Sequence, residues 1–251
     1  MEIGKERVFL NTIDSTNSYA LSLAEKGYPH GTVVIADMQT MGRGRLGRKW
    51  HSPPGKNIYM SIILRYPIKI RLSLLTITAA VAVSEAIEKE VSVPVRVKWP
   101  NDIMVSEDKV FKKVGGILCE ARFSGKEPQF VVVGIGINVN SLRNDLSPEI
   151  LNTATSLRLV SGRDFDRNEL LGGLLTSFDR WYGLFINGQD RTILTRWKEI
   201  SLTMGKEFFI LTGERIIKGK AIDIDIEGRL LIRQPSGIVQ RIDSGDVVHL
   251  R

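Results

Sequence analysis

The chain has 251 residues, 43% of them hydrophobic, enough for one sizeable core with a small appended unit. Its 35 Lys and Arg outnumber 28 Asp and Glu, and the resulting charge of +7 favours anionic partners without by itself specifying nucleic acid. A single cysteine, Cys119, excludes an internal disulfide, and there is neither a long apolar span nor a positive-then-apolar leader at Met1–Leu10, so the expectation is a soluble cytoplasmic protein.

Glu2–Ile13 reads as a short strand and connection. Asp14-Ser15-Thr16-Asn17 offers cap-type residues, and Tyr19, Ala20, Leu23 and Ala24 follow at helical spacing until Gly27 and Pro29. Ser15 or Asp14 suits a plain N-cap; the free N–H groups and hydroxyls of a helix start also suit a small polar ligand. Gly31–Ala36 is a β-branched run, hence a buried strand, with Gln39 just past it.

The stretch Gly42-Arg43-Gly44-Arg45-Leu46-Gly47-Arg48-Lys49-Trp50 is a flexible cationic loop. Its glycines permit close backbone approach, its arginines hold phosphate or carboxylate bidentately, and its tryptophan can stack on a flat ring. The spacing Gly42-x-Gly44-x-x-Gly47 fits the dinucleotide fingerprint, but that motif must open a helix, and Pro53-Pro54 forbids one. A Gly-Arg tract of the RNA-binding kind would be repetitive, and this one occurs once.

Asn57–Leu64 is the next strand, and the nearly apolar stretch from Leu72 to Ile87 is long enough for a buried helix. Val93–Trp99 is a strand that turns through Lys98-Trp99-Pro100-Asn101-Asp102. Such a turn serves geometry, yet it gathers a lysine, an amide and a carboxylate, a set able to hold a metal-bound phosphate. Ile103–Val105 and Val110–Phe111 read as a hairpin, followed by a strand over Lys112–Glu120 that contains Gly115-Gly116. Paired glycines weaken a strand unless something approaches its backbone, and Lys113 stands at the edge of that approach. Cys119 fits a small buried hydrophobe. Gln129–Val133 leads into Gly134-Ile135-Gly136-Ile137-Asn138, so two glycine-interrupted strands suggest two walls of one pocket.

Beyond Pro148, Asp166 caps a helix to about Ile186, in which Gly172-Gly173 is a weak point or a close packing contact, and Gln189–Ile200 is a second helix. From Ser201 the pattern becomes β. Phe208–Leu211, Ile216–Ile226, Leu230–Arg233, Ile238–Ile242 and Val247–Leu250 are punctuated by Thr212-Gly213, Glu227-Gly228, Ser236-Gly237 and Ser244-Gly245, which suggests a small barrel.

The loop Gly42–Trp50, the turn Lys98–Asp102, Lys113–Ile117 and Gly134–Asn138, in this order and spacing and with Ser15-Thr16-Asn17 ahead of them, resemble the successive signatures of the biotin–protein ligases. The resemblance covers nearly the whole chain. It implies an α+β fold, with a mixed sheet and packed helices of the class II synthetase-like kind over residues 1–200 and an SH3-like β-domain over 201–251. It implies that biotin and MgATP give biotinyl-5′-adenylate and pyrophosphate, and that a lysine ε-amine on a biotin carboxyl carrier domain then takes the biotinyl group.

By the same resemblance, Lys113 and Arg45 are catalytic. Ser15, Thr16, Asn17, Gln39, Arg43, Gly44, Arg45, Lys113, Gly116 and Gly136 bind biotin, the last two letting its ring lie against backbone. Arg43, Arg45, Arg48, Trp50, Asn101, Asp102, Lys113 and Asn138 bind ATP or the adenylate, with Trp50 near adenine. Mg²⁺ is expected without assigned ligands, a homodimer is expected, and neither DNA nor membrane is. A lipoate–protein ligase is the alternative, disfavoured by the Gly-Arg-Gly-Arg loop and the C-terminal β-domain; a basic nucleic-acid module leaves the glycine-interrupted strands without purpose.

Overall fold

Strand β1 (Arg7–Ile13), helix α1 (Thr16–Glu25) and strand β2 (Val33–Gln39) form a crossover unit, with the two strands parallel. Every other pairing in the sheet is antiparallel: β3 (Ile58–Leu64), β4 (Val95–Lys98), β5 (Asp102–Glu107), β6 (Val110–Ser124) and β7 (Glu127–Ile137) complete seven strands in the order β1-β2-β3-β7-β6-β5-β4. The computed structural model describes residues 3–65, 71–124, 127–212, 215–243 and 246–249. Glu2, Gly213, Ser244, Gly245 and Leu250, named in the readings above, lie outside them.

Side chains alternate across a strand, so each face of this sheet has its own cover. One face presents Ile58, Met60, Ile62 and Leu64 of β3 and Val131, Val133, Ile135 and Ile137 of β7 to helix α2 (Leu72–Glu88). Helices α4 (Arg167–Ile186) and α5 (Asp190–Glu199) pack behind it, α3 (Leu157–Ser161) having come between β7 and α4. On the other face Ala20, Leu23 and Ala24 of α1 cover Val34, Ile63, Phe130 and Val132, with Val8 and Leu10 of β1 packed against them. The rest of that face stays open, and its side chains are Tyr59 and Ser61 of β3, nothing but backbone at Gly134, Gly136 and Gly116, and Leu118 and Glu120 of β6.

Val110–Phe111 and Lys112–Glu120 are one continuous strand, β6. The two glycine-interrupted strands are neighbours with Gly116 opposite Gly136, so they make one floor rather than two facing walls. Asp166 caps α4 as read, accepting from the N–H groups of Asn168 and Glu169. Gly172 and Gly173 are not close packing contacts, since a Cβ on either would meet nothing within 4 Å.

The C-terminal unit is a five-stranded antiparallel sheet, ordered β11 (Val239–Ile242), β10 (Leu230–Arg233), β9 (Arg215–Ile224), β8 (Glu207–Thr212) and β12 (Asp246–His249). Its leading segment is stitched to the first sheet: Val97 N–H donates to Ile200 O at 3.0 Å, Leu202 N–H to Val97 O at 2.8 Å, and Trp99 N–H to Thr203 Oγ1 at 2.9 Å. These bonds hold the residue 98–102 turn in place from behind.

Candidate active site

The open part of the sheet is the floor of a cavity of about 460 Å³. Every site residue expected from the sequence lines it: Ser15, Thr16, Asn17, Gln39, Arg43, Gly44, Arg45, Arg48, Trp50, Asn101, Asp102, Lys113, Gly116, Gly136 and Asn138. They come from six separate stretches of chain.

Its polar end is built on the start of α1. Ser15 is the N-cap and accepts from Ser18 N–H, so the capping role holds, while Thr16 and Asn17 are nevertheless 4% exposed and face the cavity. Gln39 Oε1 accepts from Thr16 N–H at 2.8 Å, and its Nε2 donates to Ser52 Oγ at 3.0 Å. Ser61 Oγ donates to Asn17 Oδ1 at 2.6 Å, and Asn17 Nδ2 donates to Glu120 Oε2 at 2.9 Å and Leu118 O at 3.2 Å. The amide is wedged over bare backbone, for a Cβ at Gly134 would sit 2.0 Å from Asn17 Oδ1. Buried amides and hydroxyls held this firmly make a rigid set of donors and acceptors.

The basic loop is a small hairpin over this floor. Gly44 N–H donates to Arg48 O at 2.7 Å and Trp50 N–H to Gly42 O at 2.9 Å, with Leu46 at φ 54° near the tip, a conformation unusual for a non-glycine residue. Arg43 pairs with Glu120 at 2.7 Å, and Arg45 Nη1 donates to Asn101 Oδ1 at 3.4 Å. The Trp50 indole lies over Gly136 and Gly116, the backbone against which the resemblance implied biotin would lie, and its Nε1 is buried with no hydrogen-bond partner among the described residues.

Lys113 reaches this face because of a bulge. The register shifts between Ile103 and Met104, so that Gly115 pairs with Ile103 while Lys113 pairs with Met104, which leaves Val114 as the extra residue. Val114 is driven into the core, 0% exposed, and Lys113 comes to the cavity face beside Gly116. Lys113 Nζ is 2.5 Å from Asp102 Oδ1 and 5.5 Å from the Trp50 ring centroid. Asn101 is fixed by a reciprocal pair with Ile117, its Nδ2 donating to Ile117 O at 2.8 Å.

The far end is closed by a segment that no motif in the sequence marks, running from residue 141 to residue 154. Ser141, Asp145, Leu146, Ile150, Thr153 and Ala154 all line the cavity. Lys56 donates to both oxygens of Asp145 at 2.6 Å and holds that carboxyl below its usual range. Asn138 is committed to this region, its Nδ2 donating to Thr155 O at 3.0 Å. Glu120, Tyr59 and Ser61 were also missed; Tyr59 Oη donates to Pro53 O at 3.0 Å, and burial pushes its phenol pKa well up. The one sequence signal for the 141–154 segment is the length of the connection that contains it, from β7 to α3 with only two short 3-10 turns, since connections beyond about 12–15 residues are usually functional.

The cavity thus offers a polar pocket, a cationic middle and a partly apolar far wall. Residues 9–138 match the biotin/lipoate A/B protein ligase family, and residues 203–250 match the biotin protein ligase C-terminal domain. The chain belongs to the biotin protein ligase family. It is 37% identical over 246 residues to the bifunctional ligase/repressor BirA of Bacillus subtilis, spanning 98% of this chain and 74% of that one. It is 33% identical over 245 residues to the biotin–[acetyl-CoA-carboxylase] ligase of Mycobacterium tuberculosis, spanning 94% and 86%. The biotin protein ligase of Aquifex aeolicus, solved in complex with biotin and ATP, superposes with a TM-score of 0.83 at 35% identity, covering 98% of this chain and 99% of that one. This ligase therefore carries both family units in one chain, the cavity falling in the first except for its far wall, which follows it.

Proposed function

We propose that the ligase activates biotin with ATP as biotinyl-5′-adenylate and passes the biotinyl group to a lysine on a biotin carboxyl carrier domain. The observation that carries this reading is the position of Lys113, on a bulge between the polar pocket and the apolar far wall. Ser15, Thr16, Asn17 and Gln39 suit the ureido head of biotin, which presents one carbonyl acceptor and two N–H donors. Leu146, Ile150 and Ala154 suit the nucleoside, and the unpartnered Trp50 N–H, buried beside Gly136, is available to an acceptor on either ligand.

In the first step a carboxylate oxygen of biotin attacks the α-phosphorus of ATP and pyrophosphate leaves. Both reactants are anionic, so fixed cations at their meeting point lower the barrier. Arg43, Arg45, Arg48 and Lys113 all line the cavity, and Lys113 can exchange its bond to Asp102 for the incoming oxygens. In the second step the carrier ε-amine attacks the carbonyl carbon of the mixed anhydride, loses a proton, forms the amide and releases AMP. Between the steps the basic hairpin keeps water from the anhydride.

Mg²⁺ belongs with the nucleotide. The described residues contain no group of three or more His, Cys, Asp or Glu able to cage a metal, whereas Asn101 and Asp102 suit a cation delivered on a triphosphate that keeps its own waters. Residues 1–200 are the catalytic unit and 201–251 an accessory one in this reading. The loop cations Arg43, Arg45, Arg48 and Lys49 all line the cavity, which supports a nucleotide rather than DNA as the anionic partner. No helix among the described residues is long and apolar enough to cross a membrane, and the single cysteine supports a cytoplasmic setting. Edge strand β1, with Phe9 62% exposed, supports a homodimer through the sheet edges, which light scattering would test.

The deciding experiment is exchange of labelled pyrophosphate into ATP. Exchange that requires biotin and Mg²⁺ and is absent with lipoate is the expected result. Exchange supported by lipoate instead of biotin would overturn the assignment of the polar pocket.

A further inference from the structure

Glu107, the last residue of β5, has a carboxylate with only 7% of its side chain exposed, and no step above uses it. Its Oε1 accepts from Arg143 Nη2 at 2.6 Å and from Thr155 Oγ1 at 2.7 Å, and its Oε2 accepts from Lys112 Nζ. A carboxylate is costly to bury, and these three donors satisfy it only because they converge from different parts of the chain. Lys112 belongs to β6 beside Lys113. Arg143 lies within, and Thr155 immediately follows, the segment that forms the far wall of the cavity. That segment also grips Lys113 through the main chain: Lys113 N–H donates to Thr153 O at 2.8 Å and Thr155 N–H to Lys113 O at 2.9 Å, a parallel bridge centred on Ala154.

We infer that Glu107 is a positioning residue for the nucleotide end of the site, a buried link that sets the spacing between Lys113 and the wall formed by Leu146, Ile150 and Ala154. The inference rests on the reading of that wall as the nucleotide end. Glu107 itself touches no reactant. It acts by fixing two elements on which a nucleotide would close, so its loss falls on ATP rather than on biotin, whose proposed pocket lies across the floor at the start of α1.

The test uses the full chain and steady-state, biotin-dependent pyrophosphate exchange. Glu107→Gln keeps the shape and removes the charge. It is expected to raise KM for ATP about tenfold, as for loss of a charged hydrogen bond, while KM for biotin stays within about twofold. Arg143→Gln is expected to act in the same direction, and the double variant to be no worse than the more affected single one, because both remove one shared interaction. Lys112→Met removes the β6 arm of the same link and is expected to raise KM for ATP in the same direction. An unchanged KM for ATP in folded Glu107→Gln, an equal rise in both KM values, or additive effects in the double variant would each overturn the inference. Should Glu107→Gln fail to fold, the more exposed Arg143 carries the same test: a selective rise in KM for ATP supports the link, and no rise removes it. Ile150→Asp separates this from the wider reading. If it raises KM for ATP and Glu107→Gln does not, the wall stands and Glu107 falls; if neither does, the wall falls too.

Discussion

The indole of Trp50 packs directly onto the backbone of Gly136: a Cβ at that glycine would lie 2.7 Å from Trp50 Cε2 and 2.8 Å from its Nε1. At Gly116, across the floor, the nearest atoms would be Lys113 Cε and Trp50 Cζ3, both at 3.4 Å. The two glycines therefore differ in what they tolerate. Gly136→Ala has to displace a rigid ring, whereas at Gly116 a flexible lysine can yield. Overpacking of this kind costs about 1–3 kcal/mol. Gly136→Ala is expected to lower kcat/KM for biotin about ten- to a hundredfold, and Gly116→Ala by about threefold or less. Tryptophan fluorescence should shift in the first and not in the second. Equal effects would mean that Trp50 does not rest on Gly136 in solution.

Lys113→Ala should damage adenylate formation far more than folding. The side chain is 32% exposed and its ion pair with Asp102 lies at the cavity, so its stabilising contribution is about 0–1 kcal/mol. Its proposed action on developing negative charge is worth much more, about a hundred- to a thousandfold in rate. Single-turnover formation of the adenylate, measured beside a thermal melt, checks both halves. A melting temperature that falls sharply with little change in rate would reverse the assignment.

Much of the floor was legible because a glycine in a strand needs a reason, and Gly116, Gly134 and Gly136 each lie against a ring, an amide or the cavity. The side of the sheet on which Lys113 emerges was not legible. Strict alternation from Gly116 places Lys113 with Gly115 and Ile117 on the core side, and only the bulge at Val114 reverses that. Glu120 was equally hidden, since its partner Asn17 is 103 residues away and no local pattern joins them. The far wall has neither period nor motif, and its role follows from being tied to Lys113 by main-chain bonds that a linear reading does not show.

Arg45→Gly should open the hairpin without unfolding the domain. Arg45 donates to Asn101 at 3.4 Å, bridging the loop to the turn at residues 98–102, while main-chain bonds close the hairpin and the Arg43–Glu120 pair ties its base to β6. Loss of this bridge and of a phosphate contact corresponds to about 1.5–3 kcal/mol, or ten- to a hundredfold faster escape of the adenylate. The released anhydride would biotinylate exposed lysines on a bystander such as serum albumin. A variant that retained the adenylate as long as the parent would leave the hairpin without a shielding role.

The same carboxylates that fasten the far wall should make it acid-labile. Burial pushes the Glu107 carboxyl up, but hydrogen bonds from Lys112, Thr155 and Arg143 outweigh that and hold it below the usual carboxylate range. Asp145 is lowered chiefly by its hydrogen bond from Lys56. A group whose folded pKa lies below its unfolded value adds stability that is complete above the unfolded value and vanishes as pH falls through the folded one. The relevant window opens below about pH 4.5 and extends downward. The parent should therefore lose melting temperature through that window faster than Glu107→Gln, which starts lower at neutral pH and has no charge there to lose. The two curves should converge on acidification, and Asp145→Asn should show a smaller convergence because its pair is more exposed. Parallel curves from pH 7 into the acid range would mean that the Glu107 cluster contributes no folding free energy through its charge.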